Sequence, residues 1–114
     1  MNGFSWSASE KKLARHAFDM ALEAALAKTM AEFKRKASAV TQPSEMWELE
    51  DYLREERRDI DRMFDYRYSQ LIYVLAHLIR LGHLDEKLLA GLSQDKWDAI
   101  RRDLAFTARR SASG

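Results

Sequence analysis

The fold is decided by residues 7–37, which read SASEKKLARHAFDMALEAALAKTMAEFKRKA. Ser7 and Glu10 have the Ser-x-x-Glu spacing of a capping box, which marks the start of a helix. The later apolar residues recur at intervals of three or four and share one helix face: Phe18, Leu22, Leu26, Met30, Phe33 and Ala37. The pattern predicts a first helix of about 30 residues, roughly 45 Å long.

A break and a second helical pattern come next. Residues 41–44, Thr-Gln-Pro-Ser, interrupt the helix because proline disfavours helix before it, and Thr41 or Ser44 can cap the next helix. Residues 45–81 contain no further stop signal. Eight of their apolar residues keep one helical phase: Met46, Leu49, Leu53, Ile60, Phe64, Leu71, Val74 and Leu78. The sequence therefore predicts one continuous second helix of about 37 residues, with a bend near Asp65 left open.

The remaining chain predicts two short helices. Gly82 ends the second long helix, a short helix covers residues 86–90, and Ser93 caps the last one. We therefore expect an all-α chain that forms a single domain. Its predicted parts are a long-helix stalk at about 8–81, a small C-terminal head at about 71–108 and a flexible tail at 109–114.

The two long helices are expected to run antiparallel and to form a dimeric bundle. Only about six residues join them, which leaves no room for a parallel crossover. Two helices alone cannot shield so wide an apolar stripe, and a second copy is the usual remedy. The residues expected at the dimer interface are Phe18, Leu22, Leu26, Met30, Phe33, Leu49 and Leu53.

Composition excludes several classes of protein. The chain has no cysteine, so disulfides, thiol catalysis and zinc-thiolate sites are ruled out. Its formal net charge is +1, from 19 basic and 18 acidic residues, which gives no general attraction to nucleic acid or an anionic membrane. The longest apolar stretch, residues 71–79, is far short of the roughly 20 residues of a membrane span. The first residues do not resemble a signal peptide, and we expect a cytoplasmic protein.

No catalytic, metal or cofactor site is predicted. His16, His77 and His83 lack the spacing of metal ligands, and neither a phosphate-binding glycine loop nor an acid/base pair can be recognised. Two basic clusters, residues 34–36 and the arginines 101, 102, 109 and 110, lie near helix C-termini, where the helix dipole favours cations. A nucleic-acid-binding dimer that uses the second cluster is a minor alternative. An enzyme is not expected.

The informative residues are those that disagree with the apolar stripe. Trp47 lies about 125° from the centre of the stripe, at 100° per residue, and Asp51 and Arg54 are its neighbours on the helix surface. It is interpreted either as part of the dimer interface or as an anchor for a partner, since Trp and Arg are enriched in interface hot spots. Arg57 at the edge of the stripe and Arg67 inside it require carboxylates. The candidates are Glu50, Asp61 and Asp65.

The second helix carries a specific resemblance. Residues 47–69 have the pattern Trp47-x-Leu49-x-Asp51-x-Leu53-x-x-x-Arg57-x-x-Ile60-Asp61-x-x-Phe64-Asp65-x-Arg67-x-Ser69. This pattern resembles the fluorescence recovery proteins of cyanobacteria. The resemblance implies a small helical dimer that binds the photoactivated orange carotenoid protein. It implies that the dimer accelerates the return of that protein to its resting orange form, without holding a cofactor.

The resemblance also implies a binding patch. The family's Trp, Asp and Arg match Trp47, Asp51 and Arg57. Glu50 occupies a position that is often His, and Tyr73 one where Phe is expected, so both join the predicted partner-binding residues. Because Glu50 adds a negative charge, a second interpretation stays open. In it, the chain is a related helical adaptor from a bacterium without phycobilisomes and binds a different regulatory protein.

Overall fold

The computed structural model describes the backbone of residues 4–113 and the side chains of residues 4–106. Over this part of the chain the protein is all-helical, as predicted. It contains four α-helices and one 3₁₀ turn: α1 (Ala8–Ser38), α2 (Ser44–Met63), α3 (Leu71–Arg80), the 3₁₀ turn (Glu86–Leu89) and α4 (Gln94–Ser113). No helix in this part is both long and apolar enough to cross a membrane.

The predicted capping box starts α1. The Ser7 hydroxyl accepts a hydrogen bond from the Glu10 backbone N–H at 3.1 Å, and the Glu10 carboxylate accepts one from the Ser7 N–H at 3.0 Å. Two of the backbone donors that a helix start leaves without partners are thereby satisfied. From there α1 runs without interruption for 31 residues, which confirms the first predicted helix.

α1 and α2 form an antiparallel hairpin, as the short connection predicted. The Thr29 hydroxyl donates to Glu56 at 3.0 Å, and nearer the turn the Lys36 ammonium lies 5.0 Å from the centre of the Tyr52 ring. The predicted cap by Thr41 or Ser44 is wrong. The carboxylate of Glu45, inside α2, instead accepts the backbone N–H groups of residues 41 and 42 at 2.9 and 2.8 Å.

The prediction of one continuous second helix is also wrong. α2 ends after 20 residues, and residues 64–70 leave the helical conformation before α3 begins. The cause lies in the aromatic side chains of this connection. Phe64 and Tyr66 pack edge-on against Phe18 of α1, with ring centres 5.3 and 4.9 Å away. A straight helix could not bring two side chains only two positions apart onto the same ring.

The hydrophobic core lies in the head, where α3, α4 and the 3₁₀ turn pack against the first half of α1. Ala14, Ala17 and Ala21 are completely buried, and their small side chains let the other helices approach α1 closely. The largest fully buried side chains of this core are Leu71, Leu75, Leu78, Leu89 and Ile100. The first half of α1 thus contributes to the head as well as to the stalk.

The hairpin projects from this core. The chain has a radius of gyration of 17.1 Å and measures 54 × 36 × 25 Å, whereas a compact domain of this size has a radius of about 13 Å. α2 has no fully buried residue. The hairpin is therefore a thin two-helix arm, and both of its helices keep much of their surface accessible.

α4 is longer than predicted. It spans 20 residues and extends to Ser113, into the segment 109–114 for which a flexible tail is expected. The side chains beyond residue 106, including those of Arg109 and Arg110, lie outside the described residues. The flexibility of the tail stays a prediction.

Candidate partner-binding surface

The outer face of α2 carries the candidate site. Trp47 is 64% exposed, although tryptophan is among the most apolar side chains. It lies nine positions before Glu56, which faces α1, so at 100° per residue it points about 180° away from α1. The predicted position of Trp47 away from the contact face is confirmed. A large exposed apolar ring at such a place is typical of an interface anchor.

Charged side chains surround Trp47. We call Trp47, Glu50, Asp51 and Arg57 the α2 patch. Arg54 lies 3.4 Å from the Glu50 carboxylate and 3.9 Å from that of Asp51, and so holds both acidic side chains on one surface. Arg54 was noticed in the sequence only as a neighbour of Trp47, and its double pairing was missed. Because acidic residues three and four positions away face the same side of a helix, the spacing alone could have revealed it.

Arg57 is the most accessible charge of the patch. Its guanidinium lies 4.0 Å from Asp61, at the limit of an ion pair, and the two side chains are 87% and 73% exposed. Exposed pairs of this kind contribute little to stability. Arg57 can therefore exchange Asp61 for a carboxylate of a bound protein at small cost.

Arg67 has a structural role. Because the helix ends before it, its side chain does not enter an apolar stripe but folds back onto Asp65, with two hydrogen bonds of 2.9 Å from Nε. Hydrogen bonding to Arg67 lowers the pKa of the Asp65 carboxyl. The expected ion pair is present, and it lies in the connection between α2 and α3.

Tyr73 lies on a different element from the rest of the predicted partner-binding residues. It is on α3 in the head and is 56% exposed. It borders two clefts, of about 640 and 540 Å³, and Asp103 of α4 lines both of them. A partner that contacts both Tyr73 and the α2 patch must therefore span the head and the arm.

A second accessible surface runs along one side of the hairpin. Leu26 is 48% exposed, Met30 54%, Met46 51% and Leu53 39%. Together with the half-buried Leu22, Phe33 and Leu49, these four residues form what we call the apolar flank. Thr29 and Glu56 mark the faces on which α1 and α2 touch. Measured around its own helix axis from that face, each of the seven residues lies in the same rotational sense, by up to about 100°. In an antiparallel pair, the same sense of rotation places both sets on the same side of the hairpin.

One predicted interface residue does not belong to the apolar flank. Phe18 is only 4% exposed, because Phe64 and Tyr66 cover its ring. It offers almost no surface to another chain. The predicted apolar stripe of α1 therefore has two parts. Phe18 packs against the connection after α2, whereas the stripe residues from Leu22 onward stay accessible.

A buried ion pair in the head was not predicted from the sequence. Lys96 is 3% exposed, and its ammonium donates to Glu10 at 3.2 Å, to the Ser5 carbonyl at 2.7 Å and to the Ser93 hydroxyl at 3.2 Å. The ring of Trp6 lies 5.0 Å from the same ammonium. The signal in the sequence is that Lys96 precedes Ile100 by one turn, on the apolar face of α4. A lysine there requires a buried carboxylate.

Glu10 joins three segments. Besides capping α1, its carboxylate accepts the Ser93 backbone N–H at 2.9 Å, next to the start of α4. The hydrogen bonds from the Ser7 and Ser93 backbones, followed by Lys96, lower the pKa of Glu10 to about 2 from an ordinary value of 4.5. This arrangement ties the N-terminal segment, α1 and α4 together. It has a structural role and offers no accessible chemistry.

The lowered pKa of Glu10 predicts a pH dependence of stability. A carboxyl whose pKa is lower in the folded state stabilises that state above pH 4.5, and this contribution is lost as the pH falls from 4.5 towards 2. The loss is about 3 kcal/mol for this shift. Urea unfolding at pH 7, 4 and 2.5 measures it. Between pH 7 and 2.5, the free energy of unfolding of Glu10→Gln should fall by about 3 kcal/mol less than that of the wild type. Equal losses in both proteins would contradict the lowered pKa of Glu10.

The other candidate chemistry does not come together. Within residues 4–106, no three His, Asp or Glu side chains gather in a way that could hold a metal ion. His16 is exposed on α1, whereas His77 contacts Arg80 on α3. In the basic C-terminal cluster, Arg101 lies over the ring of Trp97 at 5.2 Å.

The geometry defines a class of protein: an all-helical chain whose accessible features are a charged patch around an exposed tryptophan and an apolar flank along a two-helix arm. Its family is established by comparison. The model of the family described as "Photoprotection regulator fluorescence recovery protein" matches residues 6–102. The chain belongs to the fluorescence recovery protein family, which confirms the resemblance seen in residues 47–69. Its role is therefore that of a regulator in photoprotection.

Individual relatives agree over most of the chain. The fluorescence recovery protein of Synechocystis sp. (strain ATCC 27184 / PCC 6803 / Kazusa) is 33% identical over 96 residues, which cover 84% of this chain and 88% of the relative. The solved structure of the Fremyella diplosiphon fluorescence recovery protein superposes with a TM-score of 0.81 at 34% identity, over 87% of this chain and 97% of the other. The solved structure of the Synechocystis sp. PCC 6803 protein also superposes with a TM-score of 0.81. It is 34% identical in sequence, and the match covers 89% of this chain and 98% of the other.

Proposed function

We propose that this protein binds the photoactivated orange carotenoid protein and accelerates its return to the resting orange form. The observation that carries the proposal is the exposure of Trp47, which stands with Asp51 and Arg57 at the positions that match the family's binding patch. The ring points away from α1, and nothing within the hairpin requires it there. A cytoplasmic location remains part of the prediction.

The proposed action is conformational. A protein accelerates a structural transition only if it binds the transition state between the two forms more tightly than it binds the starting form. Trp47 would supply buried apolar area in that complex. Asp51 and Arg57, with carboxylate and guanidinium groups of opposite charge, would fix the orientation of the partner. No bond is made or broken, and no cofactor is needed.

The experiment that tests the proposal times the decay of the red form in the dark. The photoactivated carotenoid protein is mixed with increasing concentrations of this protein, and the return of the orange absorption is followed. The decay rate should rise with concentration and then saturate. A rate at saturating concentration equal to that without the protein would reject the proposal.

Glu50 supports a second candidate function. At the position where the family often has His, Glu50 brings a carboxylate that is only partly offset by Arg54 at 3.4 Å. A patch that is more acidic than expected suits a more basic partner. In this alternative, the protein is an adaptor for another regulatory protein in a bacterium without phycobilisomes. A pull-down in which Trp47→Ala retained every partner of the wild type would contradict the shared patch.

We also propose that a second copy of the chain covers the apolar flank. Contiguous exposed apolar surfaces of this kind are rare on monomers, and α2 has no fully buried residue of its own. The net charge of +1 means that two copies do not repel each other strongly. Both helices of the arm contribute to the flank, so a two-fold axis along the hairpin would bury the same residues on each copy.

The proposed dimer predicts the effect of a charge on the apolar flank. Leu26→Glu should weaken self-association at least about 100-fold, because an unpaired carboxylate would have to be buried in the interface. Leu26 is 48% exposed, so the fold of the single chain should persist. The control is Met20→Glu, on a residue 45% exposed that lies about 120° around α1 from Leu26. Light scattering at micromolar concentration measures the mass, and a monomeric wild type would contradict the dimer.

A further inference from the structure

The apolar flank contains two thioethers. Met30 is 54% exposed and lies one turn after Leu26 on α1, while Met46 is 51% exposed and lies two turns before Leu53 on α2. Each helix of the hairpin therefore presents one methionine on the same side. The chain has no cysteine, so methionine is the only sulfur-containing residue with which it could respond to an oxidant.

The reaction of a thioether with hydrogen peroxide is simple. The sulfur lone pair attacks one peroxide oxygen, the O–O bond breaks, an S=O bond forms and water leaves. The sulfur is oxidised, and the peroxide is reduced. The product, methionine sulfoxide, replaces a flexible apolar side chain by a polar one.

The apolar flank offers a sulfoxide no hydrogen-bond donor of its own. Within one turn along the flank, the neighbours of Met30 are Leu26 and Phe33, and the neighbour of Met46 is Leu49. If a second copy covers the flank, the S=O group loses its water without gaining a partner, and that loss disfavours the dimer. The single chain would tolerate the same change, because both side chains are about half exposed there.

We propose that oxidation of Met30 and Met46 by peroxide weakens the self-association of this protein, so that the apolar flank acts as a redox-sensitive interface. This inference rests on the dimer proposed above. The anchor of the α2 patch should stay accessible, because Trp47 lies about 100° around α2 from Met46 and about 120° from Leu53. Oxidation would thus change the number of copies in the assembly and leave the partner-binding residues intact.

Met20 provides an internal reference for the first part of the test. It is 45% exposed, close to the values of Met30 and Met46, but it lies off the flank. A brief peroxide treatment at increasing protein concentration, followed by mass spectrometry of peptides, gives the oxidation rate of each methionine. Met30 and Met46 should become at least fivefold slower as the dimer forms, while Met20 keeps its rate. Equal rates at all three residues would show that the flank is not covered, which contradicts both the dimer and this inference.

The second part measures the dissociation constant of the dimer before and after complete oxidation. The constant should rise at least tenfold in the wild type and in Met20→Leu. In the double variant Met30→Leu/Met46→Leu it should stay within twofold, because leucine preserves the apolar flank and cannot form a sulfoxide. A wild type that is protected at Met30 and Met46 but keeps its dissociation constant after oxidation would overturn this inference alone. So would a double variant that is as sensitive as the wild type.

Discussion

Replacing Glu10 with Gln should lower the free energy of unfolding by about 3 kcal/mol at pH 7, the largest effect of any single substitution that we predict in the head. Lys96 is 3% exposed, so the variant leaves its ammonium buried without a carboxylate. The introduced glutamine side chain could still accept one backbone N–H, but a neutral amide is a weaker acceptor than a carboxylate. Urea unfolding at a fixed protein concentration measures the change.

The matched control is Glu48→Gln, which removes an equal charge from an exposed position on α2. Its unfolding free energy should stay within about 0.5 kcal/mol of the wild type. If both variants lost the same amount, net charge and not the buried pair would be responsible. A loss confined to Glu10→Gln would establish that the buried carboxylate of Glu10, through its backbone hydrogen bonds and its pair with Lys96, holds the head together.

Trp47→Ala should reduce the affinity for the photoactivated carotenoid protein about 30-fold, which corresponds to the 2 kcal/mol that defines a hot-spot residue. The 64% exposure of Trp47 means that the ring contributes little to the stability of the single chain, so the variant should fold. Titration of the red form with each variant gives the dissociation constants. The circular dichroism spectrum and the unfolding transition of the variant should match those of the wild type.

The control for Trp47→Ala is Glu55→Ala, on the same helix and exposed, but outside the α2 patch. It should bind like the wild type, within about twofold, since surface positions away from a contact seldom matter. An equal loss of affinity in the two variants would indicate a general effect on α2. Unchanged affinity in Trp47→Ala would place the binding surface elsewhere, and the surroundings of Tyr73 in the head would be the next candidate.

The first helix could be predicted from sequence because its signals are local. The capping box of Ser7 and Glu10 involves residues three positions apart, and the apolar repeat is read within a few turns. The same holds for the turn at Pro43 and the end of α3 at Gly82, where the backbone adopts a positive φ of 79° that suits glycine. Each of these features depends on neighbours along the chain.

The break between α2 and α3 could not be predicted in this way. The apolar residues of α3 happen to continue the phase of α2, so the periodicity indicated one helix. The packing of Phe64 and Tyr66 on Phe18, more than 40 positions earlier in the chain, ends α2. Contacts of this range decide between two locally acceptable conformations and leave no local pattern.

The other features of the molecule also differ in whether they depend on a single helix or on contacts between distant segments. The exposure of Trp47 and the ion pairs around it depend on angles around a single helix, and they were predicted or could have been. The pair of Glu10 and Lys96 joins residues 86 positions apart, and the location of Tyr73 in the head depends on the break after α2. Both required the tertiary structure.

The most direct test of the central claim, that the α2 patch drives the return of the carotenoid protein to its resting form, is a comparison of recovery rates. The dark decay of the red form is timed with Glu55→Ala and with Trp47→Ala at one concentration that saturates the wild type. We predict wild-type acceleration with Glu55→Ala and an acceleration about threefold smaller with Trp47→Ala, because a complex about 30-fold weaker is only about one-quarter formed at roughly ten times the wild-type dissociation constant. Equal acceleration by the two variants would contradict the claim.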